Sequence, residues 1–356
     1  MLQFEGSSSL RDIIACSLLA RRPVRISNIH NDDDPCGINR HFEANLLKFV
    51  QRASPSSKME LSSGNTTLTF SPGLILGGTF EHEVPPTRCV TYLIELALMI
   101  LPFAKNDSKI RFIGNTQGDL DVCIDTIRVV TCRIVQLFGI DVSLRIVRRG
   151  CGDTAGGCVE LSVTALRQLR SVKLLERGKI RRVRGIAFSC RTAPDLPQRA
   201  ATSAKGVLLQ ILPDVYVVSD VDKNSRGSGY GVILVAETTS KLAVVSQETI
   251  AEGRESAEEV GRRAAMLLLD QVAEGGCVDA HHQNLALLLM AAGPAEASTI
   301  RFGPLNPSGV TMLTLMESFF GVKCAIKTDE SDKGLPATTV VTCIGANLIN
   351  VAKKSS

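Results

Sequence analysis

The stretch Phe302-Gly303-Pro304-Leu305-Asn306-Pro307-Ser308-Gly309-Val310 lies between two apolar helical patterns, at 283–292 and 310–320. Residues 299–302 just before it read as a strand, and 323–328 and 338–344 read as two more. The order is helix, strand, helix, strand, strand. Working outward, the same order occurs twice more. In the first copy, 11–20 is a helix with a wide apolar face (Ile13, Ile14, Cys16, Leu18, Leu19) and 23–29 is a short strand. Residues 39–53 then place Phe42, Leu46, Leu47 and Val50 on one helical face, and 59–61 and 66–70 alternate as strands around the turn Gly64-Asn65. The second copy, from 85 to about 161, has helices at 87–103 and 122–138, with strands at 109–114, 142–148 and 158–163.

Three modules of one plan predict an α/β (α+β) fold in which two helices cover each four-stranded sheet. Residues 179–275 break the plan. They read as strand 181–191, helix 196–212, strand 215–219, a polar glycine-rich turn at 222–229, two strands, and helix 256–273. The expected organisation is modules one and two over 1–178, an inserted α/β domain over 179–275, and module three over 276–356 in the same large domain as 1–178.

At 356 residues the chain exceeds the size usual for one core. Its 44% hydrophobic and 21% charged residues predict a soluble globular protein, and no apolar run reaches membrane-spanning length. The N-terminus lacks a basic segment followed by an apolar core, so secretion is not expected. Eleven scattered cysteines with no Cys-x-x-Cys read as reduced core thiols of an intracellular protein. Aromatics make up 4% with no Trp, which argues against a surface that stacks unpaired bases. The net charge of +4 is mild, so any nucleic-acid contact must come from local basic clusters.

Several short motifs carry a family resemblance over nearly the whole chain. They are Phe4-Glu5-Gly6-Ser7 with Leu10-Arg11, Arg22-Pro23-Val24-Arg25-Ile26, Pro35-Cys36-Gly37-Ile38-Asn39-Arg40-His41, Gly77-Gly78-Thr79, and Arg149-Gly150 with Gly156-Gly157. In this order they resemble the RNA 3'-terminal phosphate cyclase superfamily. Phrases such as Val147-Arg148-Arg149-Gly150 and Gly275-Gly276-Cys277-Val278-Asp279 look like its cyclase-like branch of eukaryotic ribosome assembly factors. The resemblance implies that a catalytic member carries an adenylylated histidine in the 302–310 segment. Here that position is Leu305, and no His follows His282. A leucine has no lone pair with which to attack a phosphate. Catalytic members also carry a Gly-Glu-Gly-Gly-Gly-Gln run after the first Gly-Ser, whereas only Ser8-Ser9 separate Ser7 from Leu10 here. Two losses predict no cyclase activity and no cofactor.

His281-His282 read as structural residues beside a helix start. His41, on the second helix, has no second His at i+4, Glu81-His82-Glu83 read as charged loop residues and Asp32-Asp33-Asp34 as solvated loop acids, so no metal site is expected. The candidate anion, RNA or partner contacts are Arg11, Arg22, Arg40, Arg148, Arg149, Lys179, Arg181, Arg182 and Arg184. Alternation along a strand would put Arg182 and Arg184 on one face, with Lys179 and Arg181 on the other. The resemblance further implies a Bms-type GTPase partner, pre-ribosomal RNA and other small-subunit processome proteins as company, and a nuclear, nucleolar location. Two alternatives stand beside a binding role. One is a pre-rRNA endonuclease, for which Asp332 and Lys333 are the candidate acid–base pair. The other is a residual ATP-dependent cyclase.

Overall fold

The computed structural model describes residues 1–31, 37–38, 41–152, 156–253, 255–330 and 336–353. The first sheet is built from β1 (Leu2–Glu5), β2 (Val24–Ser27), β3 (Lys58–Leu61) and β4 (Leu68–Ser71), with α1 (Leu10–Ala20) and α2 (His41–Ala53) between its strands. Its order is β1-β2-β4-β3, parallel between β1 and β2 and antiparallel elsewhere. The second uses β5 (Thr79–Glu83), α3 (Val90–Ile100), β6 (Ser108–Gly114), α4 (Ile124–Thr126), a π-helical turn at Ile127–Thr131, α5 (Cys132–Leu137), β7 (Val142–Arg148) and β8 (Gly157–Val163). Its order, β5-β6-β8-β7, repeats the first sheet strand for strand.

Next come β9 (Lys173–Leu174) and the departure from the plan: β10 (Ile180–Cys190), α6 (Asp195–Leu208), β11 (Val215–Asp222), β12 (Gly229–Thr238), β13 (Val244–Ile250) and α7 (Ala257–Glu274). These strands form their own sheet, ordered β11-β10-β12-β13. The chain then returns with α8 (Gln283–Ala292), β14 (Ala297–Phe302), α9 (Pro307–Phe320), β15 (Cys324–Asp329) and β16 (Thr338–Ile344). The third sheet, β15-β16-β14-β9, completes the repeat only because β9 supplies its first strand from ahead of the insert. No strand was expected at 173–174.

Helices α3 and α8 are apolar on almost every side and therefore sit in the middle, since neither has a polar face to offer water. In α3 every residue is buried except Glu95. The insert has a separate small core in which Ala200 and Ala204 of α6 and Ala264 and Leu268 of α7 pack near Val232 and Leu234 of β12. Its second face lies against the large domain, where Phe188, Ile233 and Val235 join the main core. The contact is close: a Cβ on Gly227 would come within 1.5 Å of the Cys151 carbonyl oxygen, so the insert's hairpin tip must be glycine there.

Two expectations need correction. Glu81-His82-Glu83 is not a charged loop but part of β5, and His82 is 3% exposed, stacked edge-on against Phe49. Burial pushes its pKa down to about 4, helped by Arg52 and Lys48. Helix α9 starts at Pro307 rather than at 310. Proline's missing N–H costs nothing at the first helical position, and Asn306 caps the helix by accepting from Gly309 N–H at 2.6 Å. No helix among the described residues is long and apolar enough to cross a membrane.

Candidate functional site

The start of α9, the start of α8, the side of α3 and the second residue of α1 enclose a pocket of about 250 Å³. Arg11, Arg88, Glu95, His281, Asn284 and Asn306 line it. Leu305 sits directly before the Asn306 cap, half-buried against the main core. The side chain of Gln283 fixes this turn, accepting from Asn306 N–H at 2.9 Å and donating to the Pro304 carbonyl at 2.9 Å. The backbone on either side of Leu305 is thus well held, and the side chain there is aliphatic.

The two guanidinium groups of the pocket are already engaged. Arg11 reaches Glu95 at 2.5 Å and lies 4.9 Å from the centre of the Tyr92 ring. Arg88 makes a forked contact with Asp121 (2.5 and 2.8 Å) and lies 4.1 Å from the same ring. Tyr92 is therefore flanked by two cations, each with its own carboxylate. Burial opposes the charge of Arg11, but Glu95 and Asp12 outweigh it and push its pKa up. Arg88 is raised as well: burial works against it and the Asp121 hydrogen bond prevails. With Arg11 and Arg88 balanced by Glu95, Asp121 and Asp12, the group has no surplus positive charge to offer a phosphate.

Behind the pocket lies a buried polar chain. Asp279 accepts from Ser246 N–H at 3.0 Å and from its hydroxyl at 2.7 Å, and it pairs with His282, whose Nε2 meets Thr131 Oγ1 at 2.7 Å. Burial alone would raise Asp279, yet the His282 imidazolium overrides it and holds the carboxyl down at about 2. The same pairing raises His282 against the pull of burial. Nearby, Glu248 of β13 accepts from Cys123 N–H at 2.7 Å and from the Thr126 hydroxyl, and burial pushes its pKa up. These contacts tie the insert to modules two and three. His282 is a structural joint, while His281 faces the pocket.

The basic residues expected from sequence do not converge. Arg149 is 4% exposed and bonded to Asp125 and Asp220. Arg182 pairs with Glu237 at 2.6 Å and Arg184 with Asp214 at 2.8 Å. Arg22 donates to the Ser318 carbonyl at the end of α9, and Arg148 to the Gly156 carbonyl. Lys179 and Arg181 are exposed. Arg40, Asp332 and Lys333 lie outside the described residues. Sequence reasoning missed Arg88, Glu95, Asp121 and His281 as pocket residues. The one available signal was Glu95, a lone carboxylate in an otherwise apolar helix.

The model of the RNA 3'-terminal phosphate cyclase family matches residues 2–326. The chain belongs to that family. A probable RNA 3'-terminal phosphate cyclase-like protein of Dictyostelium discoideum is 36% identical over 100% of both chains. The human RNA 3'-terminal phosphate cyclase-like protein is 35% identical, over 99% of this chain and 97% of its own. A relative named rRNA processing protein rcl1, from Schizosaccharomyces pombe, is 29% identical over 99% of this chain and 98% of its own. The family expected from the short motifs is the family found.

Proposed function

We propose that this family member is a non-cyclising assembly factor in small-subunit pre-rRNA processing. It works in the nucleolar processome by binding a Bms-type GTPase and pre-rRNA. The observation that carries the reading is the head of α9: an aliphatic Leu305 directly before the helix cap, beside a pocket whose two arginines already hold Glu95 and Asp121. Phosphoryl and adenylyl transfer need a lone pair to attack and free positive charge to hold the oxyanions. Leu305 supplies no lone pair, and Arg11 and Arg88 already hold carboxylates. The cyclase-like names of the relatives, and the rRNA-processing name of one, support the same reading.

The test is co-purification of the tagged full chain from nuclear extract. The expected result is recovery of a large GTPase and pre-ribosomal RNA, with crosslinks that assign each to a surface. Recovery of neither contradicts the proposal.

A further inference from the structure

Between β8 and β10 the chain runs through residues 164–179 with only the two-residue β9 as regular structure. This connection and the first turn of β10 concentrate charge. Residues 167–181 hold Arg167, Arg170, Lys173, Arg177, Lys179 and Arg181 against Glu176 alone. Six cations less one carboxylate leave +5, more than the +4 of the entire chain. All but Arg177 are exposed.

Several arginines elsewhere are paired: Arg11, Arg88, Arg149, Arg182, Arg184 and Arg199 each hold a carboxylate. Among the described residues none of the six cations of this segment forms a salt bridge, although Arg181 stands near enough to Asp214 to help lower its pKa after Arg184. Arg177 instead donates to the Val272 carbonyl near the end of α7 at 2.8 Å. The stem of Arg170 crosses Gly139, where a Cβ would come within 3.1 Å of it. One carboxylate from another element does touch the segment: Glu296 accepts from the Ser171 hydroxyl at 2.6 Å. Because β9 is the outer strand of its sheet, a lysine there is expected simply to discourage edge pairing. That explains Lys173 and leaves the other five.

We propose that residues 167–181 form a track for the phosphate backbone of RNA, a proposal that deepens the rRNA-processing reading and rests on it. Unpaired exposed cations along extended chain are what phosphate neutralisation requires. The scarcity of aromatic side chains favours contact with the backbone rather than with bases.

The experiment measures binding of the purified full chain to a single-stranded RNA, to an RNA duplex of equal length and to poly-glutamate, across a range of salt. The variant R167Q/R170Q/K173Q/K179Q/R181Q changes only exposed side chains, and its circular dichroism and melting curve check that it folds. A charge-conserving R167K/R170K/R181K variant accompanies it. On single strands the plot of log affinity against log salt is expected to flatten by about 3.5 in the glutamine variant, from five contacts at roughly 0.7 each. Its affinity is expected to fall at least about tenfold at moderate salt, while the lysine variant keeps the wild-type slope. Loss on either RNA form supports the track. If wild-type RNA binding persists unchanged in the glutamine variant, the track is wrong and the RNA-binding reading survives. If poly-glutamate binds as tightly as RNA, the choice of RNA is wrong. If the wild type binds neither RNA, the RNA part of the functional reading fails with it.

Discussion

Two groups of basic residues in this molecule behave oppositely as structure. At the head of α9, Arg11 and Arg88 flank Tyr92, and each is closed off by a carboxylate. Along 167–181 the cations other than Arg177 are exposed, and none forms a salt bridge among the described residues. The difference teaches that a count of basic residues says little about anion binding. What decides is whether the fold has already supplied the counter-charge, and that depends on residues far away in sequence: Glu95 lies 84 positions from Arg11.

The comparison can be attacked from its most tightly paired member downward. Arg149 is held between Asp125 and Asp220 with almost no exposure. Arg149→Met takes from the buried Asp125 its buried partner and leaves it only the more exposed Arg128, and is expected to cost about 3 kcal/mol in urea unfolding. A loss near that of a surface substitution would mean that the paired cations are not structural. The Asp279–His282 joint gives a pH signature. Asp279 is lowered from 3.8 to about 2, so its contribution is present above 3.8 and lost as the pH falls toward 2. That contribution is about 2 kcal/mol. His282 is raised, so its contribution is full below its unfolded value and lost as the pH rises through the folded one. In Asp279→Asn the acid limb of the stability profile should flatten.

Releasing the pocket cations would bring the two regions together. With Glu95→Gln and Asp121→Asn, Arg88 loses its counter-charge and Arg11 keeps only Asp12, and pyrophosphate should raise the melting temperature where it leaves the wild type unmoved. An equal response in both proteins would show that pairing does not silence the pocket. The smallest effect belongs to the local backbone: Asn306→Ala removes the cap of α9 and should cost about 1 kcal/mol by thermal melting.

Much of the architecture was legible because apolar spacing reports which face of an element is buried, and three modules repeat that spacing. The two-residue strand Lys173–Leu174 was not, since two residues carry no period. Strand Thr79–Glu83 was hidden by its glutamates, which project from a sheet edge while His82 between them is buried. At the site, the aliphatic character of Leu305 could be read directly, because it is a property of one residue. The quenching of Arg11 and Arg88 could not, because it depends on which distant carboxylates the fold brings to them.

The central claim is that this cyclase scaffold has lost its adenylyl-transfer chemistry. The most direct measurement incubates the purified full chain with ATP labelled in the α-phosphate, Mg²⁺ and an RNA ending in a 3'-phosphate, then separates the protein under denaturing conditions. The account predicts no label on the chain and no cyclic phosphate on the RNA. Label that stays with the denatured protein, together with a cyclised RNA end, would contradict it.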